Sequence, residues 1–184
     1  SGKRDISMTL IYKGDKLVSH SGCTLCPKLC GTDRFEKPGA CGEKMQPRIS
    51  RASLHMWEEP CISGDSGSGT VFFSRCPLHC VYCQNEHISH GGAGTLTDAE
   101  TLSDVYLKLQ SMGAANINLV TPTHFALPIA RSLAISKKSG LEIPIVFNTS
   151  GYERPETLKI FGGLVNIYLT DFKYSDSALS YKYS

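Results

Sequence analysis

Residues 72–89, "FFSRCPLHCVYCQNEHIS", place Cys76, Cys80 and Cys83 in a C-x3-C-x2-C array directly behind an apolar run. Thiolates at such short spacings are soft metal ligands. Structural zinc wants four closed ligands, drawn as cysteine pairs with a distant second pair. A [4Fe–4S] cube normally takes four thiolates. Three sulfurs from one short loop suit a cube in which one iron keeps a coordination position for an exogenous ligand. The alternative is a closed zinc site completed by Cys61 or His79. His79 lies inside the loop, where its ring is expected to meet solvent.

A second set, Cys23, Cys26, Cys30 and Cys41, is spaced by two, three and ten residues. Four thiolates can close a zinc site or hold an auxiliary iron–sulfur cluster. Reduced thiols without a ligand are the third reading. Gly31, Gly39 and Gly42 supply turns, His20 is a spare ligand, and Cys61 belongs to neither set and reads as an inert buried thiol. All eight cysteines lie between Cys23 and Cys83, and residues 84–184 contain none. Disulfide scaffolds spread their cysteines through a loop-rich chain, whereas metal sites bunch them. Metal is therefore favoured over disulfides, and a reducing cytoplasm follows.

These groups need a scaffold. The chain has 184 residues, 41% hydrophobic and 20% charged, which suits one globular core. A net charge of +2 with no basic cluster gives no reason to expect nucleic acid. No run approaches the roughly 18 apolar residues of a membrane span, and no signal peptide is expected. Ser1-Gly2 reads as a cloning remnant. Residues 1–69 are rich in Cys, Gly and Pro with little periodicity, and form a Cys-rich amino-terminal segment. From Thr70 onward, strand and helix patterns alternate. Strands are predicted at 70–74, 117–121, 143–148 and 165–170. A helix follows Thr97, with Thr97 and Glu100 as a capping box, Ala99, Leu102, Val105, Tyr106, Leu109 and Met112 on one face, and Gly113 as the stop. A second helix is predicted over 125–139, with Pro128 in its first turn, and a short third begins at Pro155. Apolar strands alternating with amphipathic helices predict an α/β fold, a partial (β/α) barrel of parallel strands with about four βα units over 70–184.

In such folds ligands gather at the carboxyl ends of the strands. Every chemically loaded segment falls there: the cysteine loop, then Thr121-Pro-Thr-His, Asn148-Thr-Ser-Gly and Asp171-Phe-Lys. "GDSGSG" at 64–69 lacks the Gly-Lys-Ser/Thr ending of a phosphate loop and precedes a strand, so it reads as a turn.

Cys76-Pro-Leu-His-Cys80-Val-Tyr-Cys83 resembles the radical S-adenosylmethionine (SAM) motif C-x3-C-x-aromatic-C. The wider run through "NINLVTPTHF", "IPIVFNTSGY" and "IYLTDFKYS" resembles an uncharacterised branch of that superfamily related to pyruvate formate-lyase activating enzymes, over roughly residues 20–184. The resemblance implies a [4Fe–4S] cluster on Cys76, Cys80 and Cys83 that chelates SAM and, once reduced, cleaves it to a 5′-deoxyadenosyl radical for hydrogen abstraction. It also implies a one-electron donor such as flavodoxin or ferredoxin and, as one substrate class, a glycyl-radical enzyme. A small molecule or another modified protein is equally open. The rival reading is a non-enzymatic zinc-binding module or an inactive fragment.

Site roles follow from the same resemblance. Tyr82, just before the third cysteine, is expected to pack near the adenine, a role compatible with core packing. Many relatives carry Gly-Gly-Glu after the second strand to hold the SAM amino group. Here "VTPTHF" stands instead, leaving Thr121 and Thr123 hydroxyls but no carboxylate. His124 is either a SAM or substrate contact or a helix amino-terminal residue. Asp171 and Lys173 are expected to face SAM, the cluster or a monovalent cation, or else to form a plain ion pair. Asn148 and Thr149 can add oxygens to such a cation. Radical SAM relatives usually have about six βα units, so four readable strands lead to the expectation of a chain truncated after the fourth. A half-barrel completed by another subunit is the less favoured account.

Overall fold

The computed structural model describes residues 22–184, together with the strand backbone at 10–13 and 16–19. His20 and the Ser1-Gly2 pair lie outside the described residues. Strands β1 (Leu10–Lys13) and β2 (Lys16–Ser19) form a separate antiparallel pair. The main sheet holds β3 (Arg48–His55), β4 (Ser68–Phe73), β5 (Thr95–Leu96), β6 (Ile117–Val120), β7 (Ile145–Thr149) and β8 (Ile167–Thr170), in the order β5-β3-β4-β6-β7-β8. From β4 to β8 all pairings are parallel, and the sheet does not close on itself.

The parallel half follows the sequence pattern. Val71, Phe73, Ile117, Leu119, Ile145 and Phe147 alternate onto one face and pack against helices α3 (Ala99–Ser111) and α4 (Ala126–Lys138). Leu102, Tyr106, Ile129 and Leu133 fill that layer with almost no exposure. On the other face, Thr70, Asn118 and Val146 form one cross-strand row, and Phe72, Val120, Asn148 and Leu169 the next, nearer the carboxyl ends. The shorter helices are α1 (Pro60–Ser63), α2 (Glu86–Ser89), α5 (Pro155–Leu158) and α6 (Ser177–Tyr183).

Three local readings are corrected. The segment before Thr70 contributes β3, which pairs antiparallel with β4. Its apolar alternation is hidden by a register shift between Ile49 and Arg51 that breaks the period of two. The cap of α3 is Asp98, whose carboxylate accepts from the Thr101 amide at 2.7 Å. Thr97 is buried and donates to the Asp98 carbonyl, while Glu100 pairs with Arg131 at 2.7 Å, so no capping box forms. Phe125 belongs to a 3₁₀ turn, Thr123–Phe125, ahead of α4. The turn expected at 64–69 forms over Gly64 to Gly67, both at positive φ, and Ser68 and Gly69 already belong to β4. No helix among the described residues is long and apolar enough to cross a membrane.

Helical spacing put Leu102 and Met112 on one face, yet Leu102 is fully buried and Met112 is 48% exposed. Leu102→Ala should therefore lower unfolding free energy by about 2–5 kcal/mol in chemical denaturation. Met112→Ala should change it by about 0.5 kcal/mol or less.

Candidate metal centre and cofactor cleft

The cysteine loop leaves the sheet at the carboxyl end of β4. Its root is tied by the amides of Arg75 and Cys76, which donate to the carbonyls of Ile88 (2.9 Å) and Ser89 (3.0 Å). Arg75 and His79 adopt left-handed backbone, with φ of 65° and 57°. Such conformations in residues bearing a Cβ cost about 1 kcal/mol or more each and cluster at functional sites.

The turns they make aim donors at sulfur. The Leu78 and His79 amides point at Cys76 Sγ. Ser89 Oγ donates to Cys83 Sγ at 3.3 Å, and Ser184 Oγ donates to Cys80 Sγ at 3.3 Å. Burial, followed by the charges of Cys80 and Cys83, pushes the Cys76 thiol above its ordinary value despite those amides. The three sulfurs thus share one charge environment, each with a hydrogen-bond donor already in place. Among the described residues, no three His, Cys, Asp or Glu side chains are drawn together at metal-ligand spacing. Cys76, Cys80 and Cys83 all face one cleft.

That cleft has a volume of about 560 Å³ and is lined by Cys76, Cys80 and Cys83 together with Tyr82, Thr121, Asn148, Thr149, Asp171 and Lys173. Nine residues singled out from the sequence, contributed by four different strand ends, therefore share one space. Tyr82 is 51% exposed, and its hydroxyl donates to Tyr174 Oη at 2.7 Å. That bond is the main reason its phenol titrates above the ordinary value. Asp171 and Lys173 form an ion pair at 2.5 Å, and both line the cleft. Burial lowers the Lys173 pKa, but Asp171 and then the charges of Cys80 and Cys76 outweigh it, and the ammonium is held above its ordinary range.

Two predicted residues stand outside the cleft lining. Thr123 is fully buried and donates to Glu153 Oε1 at 2.9 Å. His124 is also buried, with Nε2 at 2.9 Å from the Ser74 carbonyl oxygen. Burial first, then the Arg34 charge, pushes its pKa down to about 3, so the ring is neutral and Nε2–H is the donor. His124 is therefore tied to the strand end beneath the cysteine loop. His79 also departs from expectation: its ring is half-buried, lines the cleft and stacks edge-on with His90 at 4.8 Å. Cys61, read as buried, is exposed on α1.

The sequence reading missed Glu58. This carboxylate lines the cleft, and its Oε2 accepts from Asn118 Nδ2 at 2.5 Å and Asn148 Nδ2 at 3.3 Å. It enters from the connection after β3, sixty residues before the strand end it overhangs, so nothing in its local sequence marks it. Arg75 was also missed. Its Nε is buried without a hydrogen-bond partner, and Ser150 Oγ is in the same condition; both residues line the cleft.

None of Cys23, Cys26, Cys30 and Cys41 lines the cleft. Cys26 and Cys41 are raised above the ordinary thiol value, chiefly by burial. Cys30 is lowered: burial opposes this, but the Ala40 and Thr32 amides, the Thr32 hydroxyl and Arg34 prevail.

The residues present fit an iron–sulfur centre with a cationic zwitterion beside it: three soft ligands with donors in place, acceptor carboxylates at Glu58 and Asp171, and unpartnered polar atoms on Arg75 and Ser150. Comparison with known proteins points the same way. The chain is 29% identical over 164 residues, 84% of its own length, to the uncharacterized protein MJ0674 of Methanocaldococcus jannaschii. It spans 46% of that relative's length. Residues 70–178, more than half of the chain, match the family model described as the Radical SAM superfamily, and to that superfamily this chain belongs.

Proposed function

We propose that the protein of which this chain forms all or part is an activating-type radical SAM enzyme. The observation that supports this most directly is the shared cleft: three donor-capped thiols and the loops of β6, β7 and β8 face one space of about 560 Å³. That volume falls within the range of small-molecule sites, about 300–1,000 Å³.

When bound, the cluster and SAM supply one-electron reductive cleavage of the sulfonium and a 5′-deoxyadenosyl radical for hydrogen abstraction. The chain's part is to hold and shield them. Cys76, Cys80 and Cys83 would ligate the cluster. Thr121 and the Glu58 carboxylate offer acceptors to an ammonium, in a chain that lacks the Gly-Gly-Glu carboxylate of many relatives. Lys173 and Arg75 offer positive charge to a carboxylate, and Tyr82 offers an aromatic face to the adenine. Resemblance to pyruvate formate-lyase activating enzymes supports a glycyl-radical protein as substrate, with hydrogen taken from a backbone glycine. It also supports a flavodoxin- or ferredoxin-type electron donor. The zinc-module alternative is not favoured: the cysteine loop opens on a ligand-sized cleft, whereas a structural zinc site is closed by its own four ligands.

Anaerobically reconstituted protein should hold about four iron and four sulfide on this site. Substituting any one of Cys76, Cys80 or Cys83 by Ala should abolish 5′-deoxyadenosine formation from SAM under dithionite. Cys61→Ala should leave both readouts unchanged. Undiminished 5′-deoxyadenosine in Cys80→Ala would overturn the assignment.

Glu58→Gln keeps the side-chain size and removes the charge. It should raise the SAM dissociation constant by about tenfold, equivalent to about 1.4 kcal/mol, while iron and sulfide stay constant. Equilibrium binding of SAM to the reconstituted protein measures this, and an unchanged constant removes Glu58 from the site.

A further inference from the structure

Ser89 holds both ends of the cysteine loop. Its carbonyl accepts from the Cys76 amide at 3.0 Å, and its hydroxyl lies 3.3 Å from Cys83 Sγ. The first and third cysteines of the C-x3-C-x2-C array are thus tied through one residue. That residue is itself fixed: it is 6% exposed, closes α2, and its amide donates to the Asn85 carbonyl at 2.8 Å. A side-chain donor in this place differs from the backbone donors at Cys76, because it can be deleted without moving the chain.

The Ser89 hydroxyl has one hydrogen to give and several neighbours. Besides Cys83 Sγ, these are the Glu86 carbonyl oxygen at 3.4 Å and His90 Nδ1 at 2.9 Å. A hydroxyl donates once and accepts through its lone pairs. A cysteine sulfur bound to iron accepts only, and so does a carbonyl oxygen. Of these neighbours, His90 alone can then supply a proton, so Nδ1–H donates to Ser89 Oγ and Oγ–H is left for an acceptor. The Glu86 carbonyl already receives the His90 amide at 2.8 Å. It also lies beyond the usual O–H···O range of about 2.5–3.0 Å, whereas sulfur, a larger atom, is within reach at 3.3 Å. The hydroxyl hydrogen therefore points at Cys83. The His90 ring is oriented in turn by an edge-on contact with His79, with centroids 4.8 Å apart and planes at 76°. Gly91 follows, where any Cβ would collide with the His87 carbonyl oxygen, so the turn that sets His90 beside Ser89 needs a glycine there.

We infer that His90 and Ser89 form a relay of donors onto Cys83, and that both are positioning residues which raise the reduction potential of a cluster held in the cleft. The inference rests on the reading that Cys76, Cys80 and Cys83 ligate that cluster. Reduction adds one electron and no proton: the imidazole and the hydroxyl keep their hydrogens, and their aligned dipoles favour the state with more negative charge on sulfur. Hydrogen bonds to the sulfurs are among the features that set such potentials. Partners one step further out act by orienting the group that touches the ligand, which is the place of His90.

The test is a redox titration of the anaerobically reconstituted chain, followed by electron paramagnetic resonance, with iron and sulfide measured in every sample. Ser89→Ala should hold its iron and shift the one-electron equilibrium about tenfold towards the oxidised form, a potential about 59 mV more negative. Ser89→Thr keeps the hydroxyl and should restore the wild-type value. His90→Ala should shift the potential in the same direction by a smaller factor. His90→Asn should not, because its Nδ2 lies as many bonds from the backbone as Nδ1 and can donate in its place. An unchanged potential in Ser89→Ala at full iron overturns the relay. Should Ser89→Ala lose its iron, the His90 variants decide: a shift in His90→Ala that is absent from His90→Asn supports the relay, and equal potentials in the two overturn it. Wild type without iron would overturn the cluster reading and the relay with it, a failure distinct from an unchanged potential at full loading.

Discussion

Ser74 is a fully buried residue directly after β4, and all three of its polar groups are tied. Its amide donates to the Arg48 carbonyl at 2.9 Å, its hydroxyl to the Ala93 carbonyl, and its carbonyl accepts from His124 Nε2 at 2.9 Å. Those partners belong to β3, to the segment before β5 and to the turn before α4. The point where the cysteine loop leaves the sheet is therefore fixed from three directions. A loop asked to present three sulfurs to one centre needs such a root, because side chains swinging from a loose strand end would pay the ordering entropy at binding. Burial keeps the His124 ring neutral throughout the physiological range, with Nε2–H held on the Ser74 carbonyl.

From that root the loop accepts local strain. Left-handed backbone at Arg75 and His79 is unfavourable, but it turns the Leu78 and His79 amides onto Cys76. The cost is met by fixed hydrogen bonds to the Ile88 and Ser89 carbonyls at the loop's far end. Strain, closure and sulfur-directed donors are one arrangement: remove the closing bonds and the left-handed residues relax, taking the donors away from the sulfur.

How much of this was legible depended on whether the information was local. The parallel strands and their helices could be read because apolar periodicity records which face is buried. Carboxyl-end segments could then be assigned to one side of the sheet, which is why nine of the cleft residues were found together. β3 escaped because its bulge offsets Ile49 from the alternation resumed at Ala52 and Leu54. Glu58 escaped because it reaches the cleft through tertiary packing, where Asn118 and Asn148 hold it. Thr123 and His124 show the opposite error. They sit in the right segment, but a 3₁₀ turn rotates their side chains into the protein, where Glu153 and Ser74 receive them. Sequence position gives the strand end; only the backbone path after it gives the direction.

The charges around the cleft narrow what it can hold. Three cysteine sulfurs line its floor, and Glu58, from the β3 side, and Asp171, after β8, add carboxylates. Lys173 is engaged by Asp171 at 2.5 Å, and Arg75 packs its guanidinium against Gly42 and Gly92. Neither cation is arranged as a bidentate cradle for phosphate, and among the described residues no helix of eight residues or more begins at the cleft wall to stabilise one. A polyphosphate nucleotide would thus meet carboxylates and sulfur where it needs donors. A ligand with a net positive charge, one carboxylate and an aromatic base meets complementary groups instead: acceptors at Glu58 and Thr121, positive charge at Lys173 and Arg75, and a ring at Tyr82. The absence of a Gly-Gly-Glu carboxylate after β6 is then no gap in the chemistry. In the proposed reading the acceptor comes from the β3 side of the sheet, where Asn118 and Asn148 orient the Glu58 carboxylate.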